Sequence, residues 1–189
     1  DGRVALTYFG EGASNQGQVF ESLNLAALFK LPCIFIIENN KYGMGTSVER
    51  ASASRDLSQN GAAWGIPGEQ VNGMDVASVR EAGERAVAHC RAGKGPYLLE
   101  MKTYRYRGHS MSDPAKYRTR EEVQKMRETS DCIETARKAL LDDFGVTEAD
   151  LKVIDDEVKA IVQDSADFAQ ESPEPPESEL MTDILVEVG

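Results

Sequence analysis

The stretch that decides the fold is RVALTYFGEGASNQGQVFESLNLAALFKLPCIFIIENN, residues 3–40. Its first part, residues 3–10, is rich in residues that favour strands and ends in glycine. Residues 15–30 carry apolar side chains at helical spacing. Residues 31–40 form a nearly continuous apolar run, which is typical of a strand buried on both faces. The stretch therefore predicts a strand, a crossover helix and a second strand parallel to the first.

The same alternation continues to residue 106. Residues 41–68 are rich in Gly and Ser and predict mostly loop, with a short helix near 56–64. Residues 69–73 predict a short strand, 75–93 a helix and 95–106 a further strand. The helix should bury one face, made by Val76, Val79, Gly83, Val87 and Cys90. We therefore predict an α/β fold with an open, mostly parallel sheet flanked by helices.

The chain changes character after residue 106, where a polar, cation-rich loop is followed by helical patterns. Thr119 with Glu122 predicts a capping box at a helix start, and Thr147 with Asp150 resembles a second cap. Apolar residues then recur at helical spacing: Leu151, Ile154, Val158, Ile161 and Phe168. We divide the chain into an α/β core, 1–106, and a loop with a helical C-terminal extension of the same domain, 107–189.

Composition restricts the class of protein. The 189 residues carry a formal net charge of −11, which argues against broad nucleic-acid binding because that needs a basic face. No apolar run is long enough to span a bilayer, so we expect no membrane partner. The three cysteines are scattered and predict no disulfide framework. The chain lacks an initiator Met and a signal peptide, and we expect it to be a piece of a longer polypeptide.

Three segments with polar side chains follow predicted strands. They contain Glu11, the pair Asn39–Asn40, and residues 104–109. In an open α/β sheet, ligands bind beyond the carboxyl ends of the strands. We therefore expect these segments to meet at one edge of the sheet.

The chemistry of these segments suits a divalent metal ion bound to a diphosphate. Glu11 offers a carboxylate oxygen, Asn40 an amide oxygen, and the backbone after Asn40 offers carbonyls; Mg²⁺ prefers such oxygen ligands. The helix that starts after GEGAS, residues 10–14, directs free N–H groups to the same place. Arg105 and His109 could contact phosphate oxygens.

Each feature also has an ordinary interpretation. A Gly-acid-Gly sequence is a common turn, and an Asn pair after a strand is usually a turn or a cap. His109 could be a surface histidine, and the basic residues at 102–107 a solvated edge. Their placement after neighbouring strands is what favours the metal–diphosphate hypothesis.

Two long motifs resemble a known family. GEG at 10–12 followed by ENN at 38–40 looks like the thiamine-diphosphate motif, which usually has aspartate where Glu11 stands. LPCIFIIENNKYGMGTSVERASA, 31–53, and TYRYRGHSMSDPAKYRTREE, 103–122, are similar to the α subunit of the decarboxylating component of pyruvate dehydrogenase. The resemblance covers essentially the whole chain and implies the thiamine-diphosphate-binding fold.

The resemblance implies a role for each matching residue. Glu11, Asn40 and the Tyr42 carbonyl would bind Mg²⁺. Arg105 and His109 would contact the terminal phosphate of thiamine diphosphate, and His109 is the one residue to which we assign a catalytic role. The cofactor-binding residues would be Gly10, Glu11, Gly12, Ala13, Asn40, Arg105 and His109.

The resemblance also implies an activity and partners. The reaction would be oxidative decarboxylation of pyruvate, with acetyl transfer to lipoyl groups of a dihydrolipoyl acetyltransferase. A pyruvate dehydrogenase β subunit would complete the site in a heterotetramer, and we expect the isolated chain to have little turnover. The alternatives are a branched-chain 2-oxo acid or acetoin dehydrogenase α subunit, or a non-catalytic scaffold domain. We expect a bacterial cytoplasmic location, with the mitochondrial matrix as the alternative.

Overall fold

The computed structural model describes residues 2–182 and shows an α/β fold. Contacts divide these residues into two compact units, with the division after Lys138. The strands are β1 (Ala5–Gly10), β2 (Cys33–Asn39), β3 (Tyr42–Gly43), β4 (Thr46–Ser47), β5 (Gly68–Asn72) and β6 (Tyr97–Lys102). The α-helices are α1 (Gly17–Leu28), α2 (Val48–Ala51), α3 (Val76–Arg91), α4 (Arg120–Ser130), α5 (Cys132–Asp143) and α6 (Glu148–Glu171). Segments Ala13–Asn15, Leu57–Trp64 and Glu177–Met181 are 3₁₀ helices.

Within the described residues, the main sheet has four parallel strands in the order β1-β2-β6-β5. This confirms the predicted open, parallel sheet. Gly10 pairs with Glu38, and Lys102 pairs with both Asn39 and Asn72. The carboxyl ends of neighbouring strands are therefore level, and the loops that follow them begin at one edge. Strands β3 and β4 form a short antiparallel hairpin in one of these loops.

The core has two layers, one on each face of the sheet. Ile34 and Ile36 of β2 pack with α3, whereas Phe35 and Ile37 pack with α1 and the 3₁₀ helix. Alternate residues of β2 thus face opposite layers, and all four are at most 6% exposed. This confirms the prediction of a strand buried on both faces, since only such a strand needs an unbroken apolar run.

The structure corrects some local predictions. Val76, predicted for the buried face of α3, is 59% exposed. The predicted Cys90 is buried and the predicted Val79 and Val87 are partly buried, and α3 also buries Ala82 and Ala86. The small side chains of Ala82 and Ala86 allow the helix to pack closely against the sheet. Residues 13–15 form a 3₁₀ turn, so α1 begins at Gly17, two residues after the predicted helix start at residue 15.

The two predicted helix caps differ in the structure. The Thr119 hydroxyl accepts a hydrogen bond from the Glu122 N–H at 3.1 Å. The Glu122 carboxylate, however, accepts from the Tyr104 hydroxyl at 2.9 Å instead of completing a capping box. At α6, Thr147 and Asp150 form the full capping box.

The second unit contains α6, whose predicted apolar stripe is exposed except at the half-buried Leu151. Ile154, Val158, Ile161 and Phe168 expose between 51% and 73% of their surface. A helix of this amphipathic pattern normally buries the stripe against a partner element. Across residues 2–182, no helix has both the length and the apolar character needed to cross a bilayer.

Candidate functional site

The candidate site lies at the carboxyl edge of the sheet, where the loops after β1, β2 and β6 are neighbours. Strand β2 lies between β1 and β6. Just beyond the paired residues, the Thr103 N–H donates to the Asn39 carbonyl at 2.9 Å. The loops that carry Glu11, Asn40 and Arg105 therefore begin side by side, as the topology predicted.

Glu11 is a buried carboxylate with one oxygen that has no hydrogen-bond partner among the described residues. The residue is 4% exposed. Its Oε2 accepts from the Asn40 N–H at 3.3 Å, whereas Oε1 is buried and unpaired. The Ser14 hydroxyl donates to the Glu11 carbonyl at 2.6 Å and fixes the turn. Because burying an unpaired carboxylate oxygen is costly, this oxygen is suited to bind a cation.

A second group of oxygen atoms lies on the loop after β2. In the amide orientation that matches its neighbours, the Asn40 side chain donates to the Tyr42 carbonyl at 3.1 Å. In the same orientation its oxygen accepts from Arg105 Nη2 at 3.0 Å. Adjacent ligands of an octahedral Mg²⁺ ion lie about 3 Å apart. In the opposite amide orientation, the Asn40 oxygen takes the position 3.1 Å from the Tyr42 carbonyl oxygen, which is the spacing of two neighbouring metal ligands.

The Arg105 guanidinium is the cation that these oxygens contact in the structure. Its Nη1 also donates to the Tyr42 carbonyl, at 3.4 Å. Within residues 2–182, no group of three or more His, Cys, Asp or Glu side chains is placed to share a metal ion. A metal site here would therefore combine one carboxylate, Glu11, with neutral amide and carbonyl oxygens. Such a set leaves several positions of Mg²⁺ for phosphate oxygens and water.

Glycines allow the loop after β1 to contact the β3–β4 hairpin through backbone atoms. A Cβ on Gly12 would lie 3.2 Å from the Cα of Gly43, and one on Gly43 would lie 3.1 Å from the Cα of Gly12. Gly10 ends β1, and Ala13 begins the 3₁₀ turn. Because Gly12 and Gly43 have no side chains, the two backbones can lie this close together. The contact holds Glu11 beside the segment that carries Tyr42.

Arg118 joins the loop after β6 to the loop after β2. It is 8% exposed. Its Nη1 donates to the carbonyls of Arg105 and Arg107, and its Nη2 donates to the Asn40 carbonyl at 3.1 Å. Sequence reasoning missed this residue, and the only available signal was its position in the cation-rich segment, residues 107–120. Arg118 therefore positions two residues of the predicted site, Asn40 and Arg105.

Aromatic rings surround the Arg118 guanidinium. Its Cζ lies 4.7 Å from the ring centroid of Tyr42, 5.0 Å from that of Tyr104 and 5.2 Å from that of Tyr117. Burial and the hydrogen bond to Glu122 raise the pKa of Tyr104 to about 12. Tyr104 therefore stays neutral at physiological pH, and its ring face attracts the cation.

The residues after Arg105 form an exposed loop that is closed on Asp113. The carboxylate accepts from the His109 N–H at 2.7 Å, from the Ala115 N–H at 2.9 Å and from the Tyr117 hydroxyl at 2.7 Å. These bonds, the one from His109 first, lower the pKa of Asp113 to about 2. A Cβ on Gly108 would lie 2.3 Å from the Asp113 carbonyl oxygen, so the turn requires glycine there.

The structure brings together some predicted site residues and leaves one apart. Glu11, Asn40, Tyr42 and Arg105 are joined by the contacts described above. His109 is exposed, and in the described part of the chain its side chain takes no part in those contacts. Its predicted roles in phosphate contact and catalysis therefore stay predictions.

Comparison with known proteins identifies relatives along nearly the whole chain. The family model for the dehydrogenase E1 component matches residues 1–178. A pyruvate dehydrogenase E1 component subunit alpha from Rhizobium meliloti is 65% identical over 183 residues, which is 97% of this chain and 53% of the relative. The corresponding protein from Zymomonas mobilis is 55% identical over 98% of this chain and 52% of its own length.

Mitochondrial relatives match as well. The human somatic, mitochondrial pyruvate dehydrogenase E1 component subunit alpha is 56% identical over 94% of this chain and 45% of its own length. The chain thus spans about half the length of the curated relatives it matches. On the family match and these identities, the chain belongs to the dehydrogenase E1 component family, and it is similar to pyruvate dehydrogenase E1 α subunits.

Proposed function

We propose that this chain binds the diphosphate of thiamine diphosphate through Mg²⁺, as part of a pyruvate dehydrogenase α subunit. The observation that carries the proposal is the unpaired, buried Oε1 of Glu11 beside the Asn40 loop. The ligands would be Glu11, the Asn40 amide oxygen and the Tyr42 carbonyl. The Asn40–Tyr42 spacing supports this set, as does the burial of Glu11.

The neighbouring residues would bind and orient the cofactor. The N–H groups of Gly12 and Ala13 would face the diphosphate, with Gly10 allowing close approach of the backbone. A metal ion at Asn40 and Tyr42 would repel the Arg105 guanidinium from these oxygens and leave it to pair with a phosphate. His109 would approach the terminal phosphate from its exposed loop.

The established chemistry of the cofactor fits the names of the relatives. When bound, thiamine diphosphate supplies the thiazolium carbon that adds to the 2-oxo group and the ring that accepts electrons as CO₂ leaves. We propose pyruvate as the substrate and lipoyl groups of a dihydrolipoyl acetyltransferase as the acetyl acceptor. A β subunit would complete the site in a heterotetramer and would supply the group that activates the aminopyrimidine.

Two alternatives remain distinct proposals. A branched-chain 2-oxo acid or acetoin dehydrogenase α subunit would share the metal site, and competition between substrates in the assembled enzyme separates it from ours. A scaffold domain would have lost metal binding. The relatives include bacterial and mitochondrial proteins by name, and a bacterial cytoplasmic location stays our prediction.

The test is titration calorimetry of thiamine diphosphate into the full-length protein, in the assembly in which it is isolated, with and without Mg²⁺. We expect binding that requires Mg²⁺. Glu11→Gln should weaken Mg²⁺ binding more than about 100-fold, beyond the loss typical of an outer-shell residue. Glu21→Gln, an exposed carboxylate change on α1, is the matched control and should bind as the parent does. The proposal would be overturned if thiamine diphosphate bound equally well without Mg²⁺, or if the Glu11→Gln variant bound Mg²⁺ as tightly as the parent.

A further inference from the structure

A second carboxylate is fully buried near the candidate site, and nothing in the proposed chemistry uses it. Glu100 lies in β6, where it pairs with Ile37 of β2 and Gln70 of β5, and it is 0% exposed. A buried charge of this kind is costly unless several donors surround it. Five hydrogen-bond donors surround the Glu100 carboxylate, and their positions indicate the role of the residue.

The donors divide between the two carboxylate oxygens. Oε1 accepts from Asn39 Nδ2 at 2.6 Å and from Lys102 Nζ at 3.2 Å. Oε2 accepts from Gln70 Nε2 at 2.8 Å and from the first backbone N–H groups of the 3₁₀ helix, those of Leu57 at 2.8 Å and Ser58 at 3.1 Å. One oxygen thus faces the carboxyl ends of β2 and β6, and the other faces the 3₁₀ helix and β5.

The Asn39 side chain transmits the first contact to the metal-ligand loop. While its Nδ2 donates to Glu100, its Oδ1 accepts from the Lys41 N–H at 3.0 Å. Lys41 has a φ of 77°, in the left-handed region that costs a non-glycine residue energy. The hydrogen bond from its N–H helps to hold that conformation. Asn40 and the Tyr42 carbonyl lie on either side of Lys41, so the turn sets their relative positions.

We propose that Glu100 is a positioning residue of the metal–diphosphate site, which acts through Asn39 on the turn that presents Asn40 and Tyr42. The inference rests on the proposed function, because it assigns the metal to these two residues. All five partners of Glu100 are donors. An amide at this position would therefore set its own N–H₂ against at least one donor, and the contact with Asn39 would weaken.

A purely structural role makes a different prediction. Through Oε2, Glu100 also stabilises the start of the 3₁₀ helix, and loss of that contact would lower stability without acting on the metal. Gln70→Ala removes a donor to Oε2 and leaves the Asn39 contact in place, so it is the matched control. It should lower the melting temperature but change the Mg²⁺ affinity by no more than about twofold.

The experiment is a double-mutant cycle on Mg²⁺ affinity. It uses the full-length protein with thiamine diphosphate, by calorimetry well below each melting temperature. Glu100→Gln and Asn39→Ala should each weaken Mg²⁺ binding about 10- to 100-fold. The double variant should be no weaker than the weaker single variant, because both changes break the same connection. Affinity losses that multiply, or a folded Glu100→Gln protein that binds Mg²⁺ as the parent does, would overturn the inference.

A further variant keeps the inference testable if Glu100→Gln does not fold. Asn39→Asp retains an acceptor for the Lys41 N–H but removes the donor to Glu100. Asn39→Asp should weaken Mg²⁺ binding. If this variant bound Mg²⁺ as tightly as the parent protein, the inference about Glu100 would be overturned, but the proposed function would not. Failure of the parent protein to bind Mg²⁺ with the cofactor would instead overturn the proposed function and, with it, this inference.

Discussion

The two parts of the candidate site are built in opposite ways. The anchored frame, made by Glu11, Asn40, Tyr42 and Arg118, connects three loops that are far apart in sequence; the Arg118–Asn40 bond spans 78 positions. The polar loop, residues 107–117, is mostly exposed and holds its shape through Asp113 contacts within the loop. Tertiary contacts therefore preorganise the metal ligands, whereas contacts within the loop hold most of the segment with His109.

This difference suggests a division of roles. A preorganised frame lowers the entropy that must be lost when a metal ion binds. A locally closed loop can open at little cost to the rest of the fold, because few buried contacts hold it. The frame should therefore determine metal affinity, and the loop should adjust the affinity for the diphosphate.

The largest effect should come from breaking the frame at Arg118. Arg118→Met keeps the length of the side chain but removes three hydrogen bonds and the cation between the tyrosine rings. We expect a loss of about 3 kcal/mol in the free energy of unfolding, since the carbonyls left behind are poorly solvated. Chemical denaturation measures it. Arg120→Met, at the exposed start of α4, is the control, and an equal loss in both variants would remove Arg118 from the frame.

A smaller effect should follow from opening the polar loop. Asp113→Ala removes the acceptor for two N–H groups and a hydroxyl, so residues 109–117 lose their closure. We expect the affinity for thiamine diphosphate to fall about tenfold, the equivalent of one lost hydrogen bond to a charged group. The Mg²⁺ affinity should hardly change. Calorimetry with each ligand measures both, with Ser112→Ala as the control in the same loop. A parallel fall in Mg²⁺ affinity would mean that frame and loop are one unit.

Shortening the carboxylate in the frame, from Glu to Asp at position 11, should raise the affinity for Mg²⁺. Glu11→Asp restores the side chain that the family motif usually has, and Mg²⁺ demands short, near-ideal distances. Because Ser14 fixes the Glu11 turn, the backbone cannot easily retreat to accommodate the longer side chain. We expect Glu11→Asp to bind Mg²⁺ several-fold more tightly, by about 1 kcal/mol. Equal or weaker binding by the Asp variant would show that the frame adjusts.

The smallest effect should appear only in acid. Asp113 has a pKa lowered from 3.8 to about 2, so its contribution to loop order is complete above the ordinary value and is lost as pH falls through about 2. Loop order should therefore stay constant from neutral pH down to about pH 4. NMR titration of the Asp113 carboxyl carbon measures this pKa. A midpoint at or above 3.8 would mean that the loop is not closed in solution.

Sequence patterns predicted the fold better than the contacts of the site. Alternating strands and helices gave the parallel sheet, and the level carboxyl ends then placed Glu11, Asn40 and Arg105 at one edge. Arg118 and Glu100 escaped prediction because their roles depend on partners that the fold brings together; the Glu100–Asn39 bond spans 61 positions. Similarly, the periodicity of α3 gave a helix but assigned Val76 to the buried face, since it ignores how small alanines set the distance to the sheet.

The most direct test of the central claim is a crystal structure of the full-length protein with Mn²⁺ and thiamine diphosphate, with the metal located by anomalous scattering. Mn²⁺ replaces Mg²⁺ as an oxygen-preferring ion of similar coordination. We predict one peak about 2.2 Å from a Glu11 carboxylate oxygen, the Asn40 amide oxygen and the Tyr42 carbonyl, with Arg105 withdrawn from the last two. A fully occupied metal and cofactor bound elsewhere, with these three oxygens free of the ion, would contradict the account.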